Sequence, residues 1–477
     1  MRVFCLPKSP LSFFDTFAAS KNTPSLLIKA AQLLLSLSIL VIIHELGHFL
    51  AARAFKTRVE KFYLFFDFLF PVPTLLNFAL FKKQIGDTEY GIGWFPLGGY
   101  VKIAGMADES MDDSYLNSEP KPDEYRSKKN WQKLIIMLGG IIMNVLLGWL
   151  IYSQIVFWSG EYSLPAENAK YGISCDSLAL SAGFKDGDVI LSHDGGKKFE
   201  SFQSIPKELL LDDVETVEVM RDGAPATIMI PSDFVKKAVA TRAKGFIDFR
   251  IPCMVGDFAE GTVIKGKLQK GDVIVAINDS AVTYFQEARG ILANLKEKDA
   301  TLKYVRGTDT LTTTVKVPAT GLLGFRPPQD MRDYKGYLDI VEHHYGFFGS
   351  FVQGAKIACK KIIDYFKQFK LVFSPEVKGY KQLGGVGTIG SLFPATWDWM
   401  AFWQLTAFIS LMLAVANLLP IPMLDGGYVI LLLAEMISGR KISDRAIEYI
   451  NRVGFIIIIF LMLYANGMDI FRAFFGK

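Results

Sequence analysis

The chain has 477 residues, of which 51% are hydrophobic and 21% are charged, and its formal net charge is +4. The length allows several domains. The small charge, with no cluster of Lys and Arg among aromatic residues, argues against a nucleic-acid partner. The cysteines Cys5, Cys175, Cys253 and Cys359 are scattered without a CxxC pair. A zinc site held by cysteine is therefore not expected.

Four apolar stretches are long enough to span or deeply enter a bilayer with a hydrocarbon thickness of about 30 Å. They cover residues 26–55, 131–158, 399–437 and 453–474. The third is too long for one straight span and contains Pro420 and Pro422. Irregular backbone at membrane depth is tolerated where protein buries it or where it lines a wet cavity. We therefore expect a polytopic α-helical membrane protein of about four transmembrane helices, with a functional site at the break and an N-terminal tail at residues 1–25.

The first apolar stretch carries the sequence HELGH at residues 44–48. Positions i and i+4 share one face of a helix, so His44 and His48 can hold one Zn²⁺ with Glu45 as general base. Catalytic zinc needs a third protein ligand and an open position. Asp425 is the candidate, because a carboxylate in an apolar segment is costly and is by default functional. The alternative is that Asp425 merely caps a short helix.

The segment between the first two spans is polar with an aromatic and glycine-rich centre. Residues 87–103 alternate aromatic and β-branched residues with Gly and Pro, which predicts a hairpin or a looped strand pair. The aromatic run at residues 62–70 is too short to span and is expected at the membrane interface. Residues 26–160 would thus comprise membrane helices 1 and 2, the zinc motif and a membrane-associated β-hairpin loop.

The polar region after the second span contains an internal repeat, in which residues 184–195 match residues 268–279. Each copy predicts a Gly-Asp turn, a short strand, a helix and a strand pair. The strand pairs lie at residues 216–221 with 227–230 and at residues 300–306 with 310–317. Both copies resemble circularly permuted PDZ domains, which capture peptide ends by strand addition. We assign the first to residues 161–240 and the second to residues 241–324.

The remaining chain comprises residues 325–398, with an amphipathic helix and a glycine-rich loop, and residues 399–477, with membrane helices 3 and 4. Lysines lie opposite apolar residues at helical spacing over residues 345–373, which predicts an interfacial helix. Basic residues follow the first span and precede the second and the last. The positive-inside rule therefore predicts that these loops are cytoplasmic and that the PDZ-like pair is on the periplasmic side.

The zinc motif together with NLLPIPMLDGG at residues 417–427 resembles the site-2 proteases. The tandem PDZ-like repeats and GGYVK at residues 98–102 resemble the bacterial branch that cleaves anti-sigma factors, and the resemblance covers nearly all of the chain after residue 26. It implies that His44, His48 and Asp425 bind one zinc ion per chain and that Glu45 activates water.

The resemblance also implies a set of substrate-binding residues on the loop and on the broken segment. These are Asn417, Gly91, Ile92, Gly93, Gly98, Gly99, Tyr100 and Val101. Asn417 could instead satisfy backbone groups freed by the prolines. One departure is that Gly385-Val386-Gly387 lacks the Pro often found in the family's glycine-rich loop.

The expected function is that of an intramembrane zinc endopeptidase of the bacterial inner membrane, acting in regulated intramembrane proteolysis. Its substrates would be anti-sigma factors and other single-span proteins already cut by a site-1 protease, or remnant signal peptides. One alternative is a catalytically silent membrane scaffold that presents PDZ-like domains. Another is a transporter with a broken helix, although only one broken helix is apparent.

Overall fold

The structure is a computed structural model that describes residues 23–69, 76–96, 98–106, 119–241, 245–259, 262–328 and 331–475. The chain divides into two compact units. The helical unit comprises the described parts of Met1–Ser159, Tyr345–Phe369 and Lys381–Lys477, and the repeat unit comprises those of Gly160–His344 and Lys370–Tyr380.

The described α-helices are, in chain order, α1 (Thr23–Ala54), α2 (Asn130–Ser159), α3 (Ser177–Ser181), α4 (Ile205–Leu211), α5 (Phe234–Thr241), α6 (Phe285–Ala293), α7 (Phe347–Phe373), α8 (Val386–Ser391), α9 (Trp399–Leu418), α10 (Asp425–Ser438) and α11 (Asp444–Phe475). The described strands are β1 (Val59–Leu64), β2 (Ala79–Ile85), β3 (Thr88–Gly93), β4 (Tyr100–Ile103), β5 (Glu161–Ser163), β6 (Ile173–Cys175), β7 (Val189–His193), β8 (Thr216–Arg221), β9 (Ala224–Met229), β10 (Ile247–Phe249), β11 (Asp257–Phe258), β12 (Val273–Ile277), β13 (Ser280–Ala281), β14 (Asp299–Arg306), β15 (Asp309–Lys316), β16 (Phe325–Arg326) and β17 (Val341–His343).

The described part of the helical unit contains four helices that are long and apolar enough to cross a membrane. They are Ser25–Ala54, Asn130–Ser159, Trp399–Leu418 and Arg445–Phe474. These helices confirm the predicted apolar spans, although α11 begins nine residues before the predicted start at residue 453. The predicted break is also confirmed, because α9 ends at Leu418 and α10 begins at Asp425. Pro420 and Pro422 lie in this gap and cannot donate backbone hydrogen bonds to continue the helix.

A four-stranded sheet in the order β2-β3-β1-β4 lies between α1 and α2 in sequence. Strand β1 is parallel to β3 and antiparallel to β4. The predicted hairpin across residues 87–103 is therefore wrong in its pairing: β3 and β4 both exist, but β1 is inserted between them. The hairpin in this sheet joins β2 to β3 instead. Pairing between distant segments leaves no local sequence signal, which explains the error.

The aromatic run at residues 62–70 forms the end of β1 and part of a packed aromatic cluster, and its expected place at the membrane interface stays a prediction. Tyr63, Phe66 and Phe68 are buried together with Tyr100, and the rings of Tyr63 and Tyr100 stack at 5.4 Å. Phe70 lies outside the described residues.

The repeat unit contains the predicted pair of similar strand sets, β7-β8-β9 and β13-β12-β14-β15. Each set has a buried Asp that receives two hydrogen bonds from an Arg. Arg221 Nε and Nη2 lie 2.8 and 2.7 Å from Asp188, and Arg306 Nε and Nη2 lie 2.8 and 2.7 Å from Asp272. The predicted strands and the helices between them are confirmed. Strand β10 lies beyond the predicted boundary at residue 240, yet pairs with β6 of the first copy.

The segments after the repeats are more helical than predicted. Helix α7 confirms the helix expected over residues 345–373. The glycine-rich segment was predicted as a loop, but Val386–Ser391 forms the short helix α8. The Asp469 carboxylate on α11 accepts hydrogen bonds from the backbone N–H groups of Gly385 and Thr388, at 3.0 and 2.8 Å. It thereby satisfies donors that a helix start leaves without partners.

Candidate metal centre

Close packing of α1 against α2 brings the two histidines to one place. A Cβ atom on Gly47 would lie 2.1 Å from the carbonyl oxygen of Gly139, so neither helix could approach so closely with a larger residue there. A Cβ atom on Gly140 would lie 2.4 Å from His48 Nε2 and 2.6 Å from His44 Cε1. Small residues at contacts between membrane helices permit such an approach. Here they leave space for two imidazoles against the backbone of α2.

His44, His48 and Asp425 converge on one point. The Nε2 atoms of the histidines are 3.3 Å apart, and each lies 3.4 Å from Asp425 Oδ2. Donor atoms of a tetrahedral zinc site with bonds of about 2.0–2.2 Å are about 3.3–3.6 Å apart. Among the described residues, these three form the one group with metal-site spacing. The donor set fits zinc with three protein ligands and leaves the fourth position for water or substrate.

Asp425 is placed by the break between α9 and α10. The residue that caps α10 is Leu424. Among the described residues, buried Asp425 Oδ2 has no hydrogen-bond partner, while it faces both imidazoles. These contacts do not support the alternative that Asp425 merely caps a helix. Met423, two residues before Asp425, has a φ of 78°. This backbone conformation is strained for a residue with a side chain, and such strain is concentrated at functional sites.

Glu45 lies beside the three candidate metal ligands and lines the same cavity. This cavity of about 50 Å³ is lined by all four, together with Val101, Met423 and other residues. This volume suffices for an ordered water molecule. The cavity is thus surrounded by two carboxylates and two imidazoles. Zinc-dependent hydrolysis of an amide requires these groups.

The predicted substrate-binding residues are not all in one place. Asn417, at the end of α9, has its Nδ2 atom 3.2 Å from His44 Nε2 and so lies at the metal centre. Val101 lines the cavity from β4, which is an edge strand. Gly91, Ile92 and Gly93 lie in β3, which is paired on both sides. Gly91 and Ile92, which have partners in both β1 and β2, therefore offer no free backbone edge for a substrate strand.

The other three predicted residues pack inside the sheet or against α1. A Cβ atom on Gly98 would lie 2.7 Å from the Phe66 ring, and one on Gly99 would lie 2.6 Å from the Val41 side chain. Tyr100 is buried and donates a 2.9 Å hydrogen bond to Asp67. These contacts position β4 rather than presenting side chains to a ligand.

Two functional features of α2 were missed from the sequence. Gly140 provides the space for both imidazoles, and Asn144 has its side-chain amide 3.2 Å from His44 Nδ1. A signal for each was present: a Gly-Gly pair, and the amide of Asn144 near the middle of an apolar span. Small and polar residues at such positions mark helix contacts and functional sites.

Comparison with known proteins agrees with this geometry. The sequence profile of peptidase family M50 matches residues 32–461, which is most of the chain. The chain belongs to peptidase family M50. The predicted resemblance to the site-2 proteases is thereby confirmed, and the M50 chain is a membrane metalloprotease with a candidate zinc site at His44, His48 and Asp425.

Relatives of this M50 chain match it nearly end to end. A Campylobacter jejuni protein named "Putative zinc metalloprotease Cj1068" is 28% identical over 441 residues, covering 92% of each chain. A Neisseria meningitidis protein with the same description, NMA0084, is 25% identical and covers 91% of this chain and 97% of its own. A similarly described Thermotoga maritima protein is 25% identical and covers 92% and 98%.

Proposed function

We propose that this M50 chain is an intramembrane endopeptidase that cleaves the membrane segments of single-span proteins. The observation that carries the proposal is the depth of the metal centre. His44 and His48 lie ten and six residues before the end of α1 at Ala54, or about 15 and 9 Å along the helix. The surrounding span has a mean hydropathy of 2.4. A scissile bond at this centre would therefore lie within the hydrocarbon layer.

The side chains around the cavity have separate parts in the proposed hydrolysis. Bound zinc would supply a Lewis acid that polarises the scissile carbonyl and favours deprotonation of water. Glu45 takes the proton from the attacking water as its oxygen bonds to the carbonyl carbon. It returns a proton to the amide nitrogen as the carbon–nitrogen bond breaks. The Asn417 amide, beside His44 Nε2, can donate a hydrogen bond to the negatively charged oxygen of the tetrahedral intermediate.

Replacement of the general base tests this assignment. Glu45→Gln keeps the size of the side chain but removes the proton acceptor. We expect zinc content near that of the parent and loss of cleavage of a model transmembrane substrate in vesicles. Glu376→Gln is the control, because Glu376 is exposed and lies outside the cavity. Full turnover by Glu45→Gln would refute the proposed role.

We also propose that β4 holds the substrate in an extended form. A helical segment must unwind before cleavage, and an edge strand can replace the lost backbone hydrogen bonds by strand addition. Strand β4 is an edge of its sheet, and its Val101 and Ile103 line the metal cavity. Strand β2 is the opposite edge and provides a matched comparison.

Cysteine cross-linking can distinguish the two edges. We expect a cysteine at Val101 or Ile103, in the Glu45→Gln background, to form a disulfide with cysteines near the cleavage position of a bound substrate. A cysteine at Lys83, on exposed β2, should not do so. Equal cross-linking from β2 would refute the placement of substrate at β4.

For the repeat unit, we propose that the second copy is a PDZ-like domain that receives a free carboxyl end. A groove of about 520 Å³ lies between α6 and β16, with Leu292, Leu322 and Leu323 among its lining residues. An apolar concavity beside a short strand suits a peptide with an apolar terminal residue. A site-1 protease would create such an end when it makes the first cut, as regulated intramembrane proteolysis of anti-sigma factors requires.

Peptide binding tests this role with matched variants. Leu322→Glu places a charge in the groove, whereas Leu180→Glu changes a residue of the first copy with almost the same exposure, 51% against 52%. We expect a peptide ending in valine to bind the parent and the Leu180→Glu chain but not the Leu322→Glu chain. An amidated peptide should bind none of them. Equal binding by all three would exclude this groove.

The proposed site of action is the bacterial inner membrane, with the PDZ-like pair on the periplasmic side and the zinc end of α1 near the cytoplasm. The support is the excess of Lys and Arg after the first span and before the last. Reporter fusions or cysteine labelling at exposed residues of the repeat unit test the orientation. Labelling of the repeat unit from the cytoplasmic side alone would contradict it.

A further inference from the structure

Helix α2 contacts the side of each histidine that faces away from the metal position. The metal-facing atom of both rings is Nε2, because these atoms converge with Asp425 Oδ2. The Nδ1 atom of His48 lies 2.9 Å from the backbone carbonyl oxygen of Ile136. The Nδ1 atom of His44 lies 3.2 Å from the side-chain amide of Asn144. Both contacts come from the same helix.

Asn144 is fully buried, with a relative exposure of 0%. Its backbone carbonyl accepts a 2.7 Å hydrogen bond from the Ser410 hydroxyl on α9. Its Nδ2 atom is the one that faces His44, while its Oδ1 atom has no hydrogen-bond partner among the described residues. A buried amide oxygen without a hydrogen-bond partner lowers stability. Exchanging the positions of Oδ1 and Nδ2 in the Asn144 amide would therefore be favourable if His44 offers a donor.

The protonation of the two His44 ring nitrogens determines whether the oxygen or the nitrogen of the Asn144 amide faces His44 Nδ1. A neutral imidazole has one donor nitrogen and one acceptor nitrogen. Asn417 Nδ2 faces His44 Nε2 and Asn144 Nδ2 faces His44 Nδ1, both at 3.2 Å, so the two amides cannot both donate. With Nε2 supplying its lone pair to a metal, Nδ1 carries the hydrogen. Rotation of the Asn144 amide by about 180° places Oδ1 beside His44 Nδ1. Oδ1 then accepts the hydrogen bond from Nδ1–H and is no longer without a partner.

We propose that Asn144 is a positioning residue that accepts the Nδ1–H hydrogen bond of His44 and so fixes the tautomer that binds zinc. The backbone carbonyl of Ile136 performs the same task for His48. Partners of this kind orient the imidazole ring and increase its basicity toward the metal, and their loss typically weakens metal binding by about 10–100-fold. Asn144 touches neither substrate nor the reacting atoms in this role.

Zinc affinity of the purified full-length chain, measured by chelator competition, tests the proposal. Asn144→Leu keeps the approximate shape but removes the acceptor, and we expect zinc binding to weaken by about 10–100-fold. Asn144→Asp keeps an acceptor at the same place, and its affinity should stay within about threefold of the parent or exceed it. The melting temperature of each metal-free variant reports whether it is folded.

Gln32→Leu is the matched control. Gln32 is also fully buried on α1 and bonds the backbone oxygen of Pro394 at 2.9 Å, away from the metal centre. Its loss should lower stability without changing zinc affinity.

Several outcomes would overturn the proposal. One is that Asn144→Leu binds zinc as tightly as the parent. Another is that Asn144→Asp loses as much zinc affinity as Asn144→Leu. A third is that Gln32→Leu loses as much zinc affinity as Asn144→Leu. If Asn144→Leu fails to fold, Asn144→Asp alone tests the proposal. A carboxylate can accept the hydrogen bond from His44 but cannot replace an amide donor, so parental zinc affinity of Asn144→Asp supports the acceptor role and weakened affinity overturns it.

The inference rests on the proposed zinc chemistry, and failure of the inference can be distinguished from failure of that chemistry. A parent chain that binds no zinc overturns both, whereas equal zinc affinity of the parent and Asn144→Leu overturns this inference alone.

Discussion

Gly140→Ala is the smallest change that should close the metal centre. The added Cβ atom would lie 2.4 Å from His48 Nε2, 2.6 Å from His44 Cε1 and 2.7 Å from His44 Nδ1. Ordinary contacts of a carbon atom begin near 3.4 Å, so both rings must retreat by about 1 Å, or α1 must move away from α2. Zinc sites tolerate deviations of only about 0.2 Å in ligand distance.

The magnitude of the effect can be bounded from packing. Forcing a methyl group into a close-packed interior costs about 1–3 kcal/mol. If this energy opposes the metal-bound geometry, zinc affinity falls by about 5–150-fold, since about 1.4 kcal/mol corresponds to a factor of ten. Zinc titration against a fluorescent chelator measures the change, and cleavage of a model substrate should decline with zinc occupancy.

Gly148→Ala on the same helix is the control. Its Cβ atom would lie 2.7 Å from Leu411 Cδ2, so it overpacks an interface that contains no metal-binding side chain. We expect a lowered melting temperature with parental zinc affinity. If Gly140→Ala binds zinc as tightly as Gly148→Ala does, α2 does not shape the metal centre through Gly140.

Three further predictions concern the third ligand and the repeat unit. Asp425→Ala removes one of three ligands, so zinc content should fall from about one per chain to below about a tenth, as measured by atomic absorption. Arg306→Ala leaves the Asp272 carboxylate, 1% exposed, without its ion pair. This should destabilise the second repeat by about 3 kcal/mol, measured by pulse proteolysis of the full chain in urea. Glu342 has its pKa lowered from 4.5 to about 2 by hydrogen bonds from Tyr162, His344 and Lys335. Its stabilising contribution is complete above pH 4.5 and is lost as the pH falls toward 2, so Glu342→Gln should lower the melting temperature at about pH 7 but not near pH 2.

Much of the helical unit could be predicted because its signals are local. Long apolar runs predicted the membrane helices, and two prolines predicted the gap between α9 and α10. The spacing of His44 and His48 predicted a shared face, and the isolated carboxylate of Asp425 predicted the third ligand. Each inference needed only a short window of sequence.

The features that could not be predicted depend on contacts between distant segments. Strand β1 enters the sheet between β3 and β4, which no turn sequence indicates. Asn144 and Gly140 acquire their roles only when α2 lies against the histidines of α1. The short helix α8 forms where Asp469, more than 80 residues later, accepts its first N–H groups.

Mass-spectrometric mapping of the cut in a single-span substrate, reconstituted with the chain in vesicles, shows whether the peptide bond is hydrolysed within the membrane segment. We expect new ends inside the apolar segment, in its cytoplasmic half, and no product after zinc chelation. Cuts confined to residues outside the membrane segment, or unchanged cutting after chelation, would contradict hydrolysis at the composite centre of His44, His48 and Asp425.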